Sequence, residues 1–157
     1  MSSETKSPAK PKIEITYLNA ANPPTFLEES EVVDFLFTNL EKYGDPKPHI
    51  QMAIDYACSR HQGKGGFVVV GKIENEIVGA VVVNKTGMGD YIPENILVYI
   101  AVDEKRRGMG IGKTLMETTM DLAQGGIALH VEPDNPAKKL YERLGFTNKY
   151  LEMRYQK

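Results

Sequence analysis

Cysteine, tryptophan and long apolar runs are scarce or missing in this chain of 157 residues, which has one cysteine and no tryptophan. The single cysteine, Cys58, excludes an intramolecular disulfide, and its helical surroundings favour a buried structural thiol over a nucleophile. No stretch is apolar enough to span a bilayer, and none has the pattern of a secretory signal. The net charge of −2 lacks the basic excess that non-specific nucleic-acid binding needs. We therefore expect a cytoplasmic protein with no nucleic-acid, membrane or metal partner.

The overall composition is that of one ordinary globular domain. Hydrophobic residues make up 41% of the chain and charged residues 25%, and this length suffices for one proper core. Residues 1–12 are rich in Ser, Pro and Lys and predict a disordered tail. We place a single domain at residues 13–157, and both a monomer and a homodimer remain open.

A glycine-rich segment at residues 106–113 is the most informative stretch. It lies between an apolar run at residues 96–102 and a helix-like segment at residues 113–124. A strand, a glycine-rich turn and a helix start form the arrangement that holds a phosphate group, because the helix amides and dipole attract an anion. Glycines let the backbone approach such a ligand without an intervening Cβ. Two arginines and Lys113 add formal charge, so the segment predicts a pyrophosphate site.

Spacing distinguishes three glycine-loop patterns. The end of a P-loop is present at residues 112–114, but its first glycine falls on Arg107, whose bulk prevents the turn over a β-phosphate. The dinucleotide fingerprint G-x-G-x-x-G lacks its third glycine. The pattern R-x-x-G-x-G fits on Arg107, Gly110 and Gly112. In this spacing the loop resembles the coenzyme A pyrophosphate loop of the GNAT superfamily of N-acetyltransferases.

A second motif follows after one predicted helix and one predicted strand. Residues 135–146 read Asn-Pro-Ala-Lys-Lys-Leu-Tyr-Glu-Arg-Leu-Gly-Phe and resemble the C-terminal motif of the same superfamily. Local rules explain part of it, because Asp134 or Asn135 caps a helix, a proline occupies its first turn and Gly145 ends it. The order and separation of the two motifs indicate the superfamily, and the resemblance covers residues 67–155.

Hydrophobic periodicity predicts the order β-α-α-β-β-β-α-β-α-β, which the superfamily shares. The expected fold is α/β (α+β), with a mixed central sheet flanked by helices. Strands are predicted at residues 13–18, 67–72, 76–85, 96–102, 127–131 and 146–155, the last as one strand or a hairpin. Helices are predicted at residues 26–43, 49–61, 111–123 and around Tyr141. The inner side of the helix at residues 111–123 is predicted to consist of Ile111, Leu115, Met116, Met120, Leu122 and Ala123.

The resemblance implies an enzyme that transfers an acyl group, usually acetyl, from coenzyme A to an amine by direct attack on the thioester. It also implies which residues hold the cosubstrate, acetyl-coenzyme A. Loop backbone would bind its pyrophosphate, through Arg107, Gly108, Met109, Gly110, Ile111, Gly112 and Lys113. The free edge of the preceding strand would pair with its pantetheine arm, at Ile100, Ala101 and Val102. A strand amide near Ala101 or Val102 would stabilise the thioester oxygen.

The Leu-Tyr pair of the second motif supplies a candidate catalytic group. The resemblance implies that Tyr141 protonates or stabilises the leaving thiolate. A core tyrosine is the alternative, because Ala137, Leu140, Tyr141 and Leu144 form one apolar stripe. Asn135 either bonds the pantetheine or only caps its helix.

The acceptor amine must lose a proton, since an amine of the lysine type has a pKa of about 10.4 and is almost fully protonated at neutral pH. Some superfamily members carry a glutamate on the strand before the loop, at the position of Ile96 here. Glu94 and Asp90 are candidate bases, and each is alternatively a solvated loop carboxylate. We prefer a route in which water carries the proton.

Two other classes of function stay open. A regulatory module that binds coenzyme A without chemistry is favoured by the missing strand glutamate and opposed by the intact Leu-Tyr pair. A P-loop nucleotide-binding protein is opposed by the missing first glycine. The resemblance places the acceptor pocket at residues 26–61 and 86–95, where mixed charges indicate no particular amine.

Overall fold

The computed structural model describes residues 12–61 and 63–157, so the predicted tail at residues 1–12 lies, apart from Lys12, outside the described residues. Five strands form one sheet, in the order β1-β2-β3-β4-β5. The strands are β1 (Glu14–Leu18), β2 (Gly66–Ile73), β3 (Glu76–Lys85), β4 (Asn95–Val102) and β5 (Ile127–Leu129). The helices are α1 (Phe26–Leu40), α2 (Lys47–Ala57), α3 (Ile111–Leu122) and α4 (Ala137–Arg143).

The sheet separates two apolar layers. Strands β1 to β4 pair antiparallel in sequence order, and β5 pairs parallel to β4. Helices α1 and α2 pack on one face of the sheet, and α3 and α4 pack on the other. In β3 the residues from Val78 to Val83 are buried on both faces, which is why none of them is polar and four of the six are valines. The predicted fold class is confirmed by this arrangement.

Local sequence signals explain where the first elements begin and turn. Thr25 and Glu28 form a capping box at the start of α1, because the Glu28 amide donates to Thr25 Oγ1 (3.1 Å) and the Thr25 amide to Glu28 Oε1 (3.0 Å). These bonds lower the pKa of Glu28. Between β2 and β3, Glu74 and Asn75 both have positive φ (50° and 67°), as the predicted tight hairpin requires.

The predicted final strand at residues 146–155 is wrong. No strand forms after α4 in the described part of the chain, and the side chains of Tyr150, Leu151, Met153 and Tyr155 are largely exposed. Alternating apolar residues make a segment able to be a strand, but a strand also needs a partner. Strand β5, at one edge of the sheet, is only three residues long.

The inner face of α3 differs from its prediction. Ile111, Leu115, Met116 and Thr119 are buried, whereas Met120 and Leu122 are exposed and Ala123 is half-buried. Thr119 can be buried because its hydroxyl donates to the Leu115 carbonyl at 2.8 Å. Among the described helices, none has the length and apolarity needed to cross a membrane.

Candidate active site

Strands β4 and β5 run together at one end and separate at the other. Their pairing is limited to Asn95–Ile127, Ile96–Ala128 and Leu97–Leu129. Beyond Leu97, β4 continues to Val102 with no neighbouring strand on that side among the described residues, whereas β5 ends at Leu129. We call the space beside residues 98–102 the gap. It leaves one edge of an inner strand open to a ligand.

Two polar side chains pin the closed end of this strand pair. Asn95 is buried, and its Nδ2 donates to the carbonyls of Gln124 (2.9 Å) and Gly126 (3.1 Å). The carboxylate of Glu94 accepts the Gly126 N–H and, at 3.4 Å, the Asp90 N–H. The hydrogen bond from Gly126 is the main cause that lowers the pKa of Glu94. Glu94, a predicted base, therefore serves as a clamp between strands.

A β-bulge marks the point where the strands separate. Val82 lies opposite Tyr99 and Val83 opposite Leu97, so Val98 is an extra residue with no partner on β3. Val98 and Tyr99 both pack toward the layer of α1 and α2. A bulge of this kind bends its strand and increases the local twist, which turns residues 98–102 away from β5.

The hydrogen-bond alternation of β4 determines which backbone groups face the gap. The Asp103 N–H donates to the Val78 carbonyl at 2.8 Å, so the odd-numbered residues just before it bond to β3. The backbone groups of Ile100 and Val102 therefore point into the gap. Those of Ala101 point to Ala80 on β3, so an added strand along residues 100–102 would bond to Ile100 and Val102.

The glycine-rich loop closes the gap at the end of β4. Gly108 (φ 84°) and Gly110 (φ 81°) both adopt the left-handed conformation, and a Cβ on either would have no atom of the described residues within 4 Å. Gly110 precedes the first turn of α3, and no described side chain caps it. The first amides of α3, at Ile111, Gly112 and Lys113, thus lack partners within the helix and lie beside open space.

Gly112 is needed for a different reason. A Cβ at this position would lie 3.3 Å from Leu140 Cδ2, on α4, and 3.6 Å from Val102 Cγ2. The residue thus allows α3 to approach β4 and α4 closely. Met109, at the outside of the loop, is exposed.

The charged side chains of the loop are turned to protein partners. Arg107 donates from Nη2 to the Asn39 carbonyl (3.0 Å), and its Nη1 lies 3.7 Å from Glu41 Oε1. Its guanidinium thereby ties the loop to the end of α1. Lys113 is exposed, with Nζ 3.8 Å from Glu117 Oε1 one helical turn onward. The backbone is the part of the loop that remains free for an anion.

Asn135 lies just before α4, and Tyr141 lies in the middle of this helix. Tyr141 is buried, with its ring centroid 6.0 Å from that of Phe146, and burial raises its pKa to about 12. Its hydroxyl is thus protonated at neutral pH. The Oδ1 of Asn135 accepts the Ala137 N–H at 2.9 Å, so its side chain bonds to the backbone at the first residue of α4.

Sequence reasoning missed a short 3-10 turn after α1, the bridging turn (Glu41–Tyr43). It contacts the chain on both sides of the gap, through Arg107 in the loop and through Asp134 after β5. Lys42 Nζ lies 3.2 Å from Asp134 Oδ2, and the Tyr43 hydroxyl donates to the Asp134 carbonyl at 3.1 Å. These partners are 91 and 92 positions apart in sequence, so no local pattern could have joined them.

A second missed contact lies immediately after the bridging turn. The Tyr99 hydroxyl, on the bulge of β4, donates to Asp45 Oδ2 at 2.5 Å. Burial, together with this carboxylate, raises the pKa of Tyr99 far above its ordinary value. In the described part of the chain, no group of three or more His, Cys, Asp or Glu side chains is placed to hold a metal ion.

The amino-acid sequence is similar to that of known proteins. Residues 28–146 match the acetyltransferase (GNAT) family. The 5-NmdU N-acetyltransferase of Pseudomonas phage PaMx11 is 33% identical over 84 residues, which is 52% of this chain and 58% of that protein. The mycothiol acetyltransferase of Catenulispora acidiphila is 35% identical over 69 residues, 41% of this chain and 22% of that protein. The chain thus matches less than two thirds of either relative.

The fold has a solved counterpart. The crystal structure of PH1933 from Pyrococcus horikoshii OT3 covers 90% of this chain and 93% of its own, with a TM-score of 0.69 and 25% sequence identity.

Proposed function

Because the chain belongs to the acetyltransferase (GNAT) family, with residues 28–146 matching it, we propose that it is an N-acetyltransferase. Its reaction is the transfer of an acetyl group from acetyl-coenzyme A to a primary amine of a small molecule or a protein. The observation that carries this proposal is the gap. An open edge of β4 leads directly into a glycine loop whose backbone faces free space. The named relatives are acetyltransferases, which agrees with it.

The residues present fit the cosubstrate. Gly108 and Gly110 leave room for a pyrophosphate against the unpaired amides of α3, where the helix dipole favours negative charge. Ile100 and Val102 offer backbone groups to the pantetheine arm, as an added strand would need. When bound, acetyl-coenzyme A supplies the acetyl group as a reactive thioester.

The backbone of β4 provides the electrostatic part of the proposed chemistry. Of the two amides that face the gap, that of Ile100 lies nearer to the bulge at Val98. We propose that this N–H donates a hydrogen bond to the thioester oxygen, on which negative charge develops during attack. A preorganised amide stabilises such charge because it needs no reorganisation. This proposal differs from the expectation from sequence, which was an amide near Ala101 or Val102.

We assign to Tyr141 the role of donating a proton to the sulfur of the leaving coenzyme A. Burial keeps this hydroxyl protonated, with a pKa of about 12, so it is a donor over the whole range in which an enzyme works. Its place in the packed layer against Phe146 fixes the ring.

The proton on the amine leaves through water in this proposal. Glu94 stands four residues before Val98, about 13 Å along the strand at ~3.3 Å per residue, and its carboxylate is held by Gly126. Its lowered pKa also makes it a poor base. Asp90 donates its backbone N–H to the same carboxylate at that closed end.

Calorimetry and a turnover assay test the function. We expect acetyl-coenzyme A and coenzyme A to bind and ATP not to bind. We also expect coenzyme A to be released in the presence of at least one amine from a panel of spermidine, kanamycin, lysine methyl ester, a peptide with a free N-terminus, and aniline. Binding of coenzyme A without turnover on any amine would instead identify a regulatory module. A cytoplasmic location and a monomeric or homodimeric state remain predictions.

A further inference from the structure

The bridging turn borders the gap on the face of the sheet that carries α1 and α2, and we call this opening the entrance. It reaches the glycine loop through Glu41 and Arg107, and the chain after β5 through Lys42 and Asp134. It comes from the layer of α1 and α2, whereas α3 and α4 fill the opposite face of the sheet. Because the glycine loop leads into α3, the cosubstrate occupies the α3 side. The side beneath the bridging turn remains for the second substrate.

Asp45 stands at that entrance and is held toward the sheet. It follows the bridging turn by two residues, and its Oδ2 accepts the Tyr99 hydroxyl at 2.5 Å. Tyr99 directly follows Val98, so the tyrosine rises from the bulge itself. The hydrogen bond therefore connects an exposed carboxylate to the point where β4 and β5 separate.

The partner of Asp45 is neutral, which distinguishes it from its neighbours. Along residues 34–45 the other two carboxylates are paired with cations, Asp34 with Lys47 (2.9 Å) and Glu41 with Arg107 (3.7 Å). The guanidinium of Arg154 lies within electrostatic range of Asp45, but it is bound to Glu152. A hydroxyl donor orients a carboxylate without cancelling its charge.

We propose that Asp45 receives the ammonium group of the acceptor, so that this enzyme selects cationic primary amines, and that Tyr99 is the residue that positions Asp45. The inference rests on the proposed acetyltransferase function. An ammonium group has three N–H donors, and an ionised carboxylate with one oxygen held by Tyr99 has acceptor capacity left for them. The contact brings the amine to the entrance in its abundant protonated form, from which water removes the proton.

Steady-state kinetics of matched variants test the assignment, with the best acceptor from the panel above. Asp45→Asn removes the charge but keeps an oxygen for the Tyr99 hydroxyl. We expect it to raise KM for the acceptor about tenfold, the size of one lost charge-assisted hydrogen bond. The dissociation constant of acetyl-coenzyme A should stay within about twofold, since Asp45 lies on the other side of the gap. Asp45→Glu should restore part of the acceptor affinity.

Two further variants separate this role from general effects of charge or folding. Tyr99→Phe should raise KM in the same direction but less, because the carboxylate remains and loses only its orientation. Asp121→Asn, which removes an exposed carboxylate of α3, should leave KM unchanged.

The inference would be overturned by an unchanged KM in Asp45→Asn, by an equal rise in Asp121→Asn, or by aniline as the best acceptor, because aniline is neutral at the assay pH. A parallel loss of acetyl-coenzyme A affinity in Asp45→Asn would also overturn it, by showing that the residue only supports the fold. If the wild type acetylates no amine while it binds coenzyme A, the proposed function itself fails and this inference fails with it.

Discussion

The hydroxyl of Tyr141 is the only part of that side chain that a conservative change can remove without disturbing its packing against Phe146. Tyr141→Phe should reduce turnover by about tenfold or more, the size expected when general-acid assistance is lost. The affinity for coenzyme A should change much less, because the ring and the α4 contacts stay. Turnover and calorimetry on the same preparation measure both quantities. Full turnover in the variant would identify a core tyrosine.

The raised pKa of Tyr141 also has a consequence for stability. The group ionises near 10 in the unfolded chain and at about 12 in the fold, where burial opposes the phenolate. Its contribution is therefore fully present below pH 10 and is lost as the pH rises toward 12. Between these values the free energy of unfolding should fall by about 2 kcal/mol more in the wild type than in Tyr141→Phe. Urea unfolding at pH 9, 10, 11 and 12 measures the difference, and parallel curves would contradict it.

Single residues show where the sequence sufficed and where it did not. Gly108 and Gly110 could be assigned to a loop because positive φ and open space are what glycine provides, and both are found there. Glu94 could not be assigned, because its partner Gly126 lies 32 positions further along the chain. Asp45 has the same difficulty, since only the folded chain brings it to Tyr99.

At the scale of elements, the loop can be tested with a pair of variants that differ only in charge. Asp and Asn tolerate the left-handed conformation better than other non-glycine residues, so Gly110→Asn and Gly110→Asp carry a similar backbone cost. Gly110→Asn should weaken coenzyme A binding moderately, and Gly110→Asp should abolish it, because a carboxylate then lies beside the pyrophosphate.

Calorimetry with coenzyme A compares the two Gly110 variants, and circular dichroism checks that both are folded. Equal affinity for coenzyme A in both variants would show that its pyrophosphate does not bind at this loop. Gly112→Asp should also abolish binding, but it is a less specific test, because the new side chain meets Leu140 on α4 at 3.3 Å.

The elements themselves followed from periodicity and capping as far as α4. Element order is a local property, and the capping box at Thr25, the hairpin at Glu74 and the glycines of the loop each act over a few residues. The bulge at Val98 was not predicted, because it arises from the register between β3 and β4 and not from any residue type. The prediction of a final strand at residues 146–155 was wrong for a related reason, because a strand also depends on a pairing partner that local sequence does not reveal.

At the scale of the whole molecule, two motifs sufficed to identify the family, and the match over residues 28–146 confirms it. They did so because the loop and the α4 motif lie in a fixed order, separated by one helix and one strand. The acceptor side depended instead on contacts between distant segments, such as the bridging turn with Asp134. The family was thus accessible to sequence reasoning, whereas the proposed acceptor side rests on contacts that only the fold reveals.

The route of the amine proton is decided by the pH dependence of the complete enzyme. In our proposal kcat/KM for a good acceptor rises with pH up to the pKa of the free amine, because no side chain takes the proton in advance. We expect no limb from Glu94 near pH 6 to 7, since the Gly126 N–H lowers its pKa from the ordinary value. Glu94→Gln should therefore have the same profile as the wild type and at most a modest loss of rate.

The quantity kcat/KM is the right one to measure, because it reports the free enzyme and the free amine. A carboxylate beside the bound ammonium, as proposed for Asp45, raises the pKa of the amine only in the complex, so it moves the limb of kcat and leaves that of kcat/KM in place. A limb of kcat/KM near pH 6 to 7 in the wild type that vanishes in Glu94→Gln would make Glu94 a general base. It would also require the closed end of β4 and β5 to open, because only then could that carboxylate leave Gly126 and reach the gap.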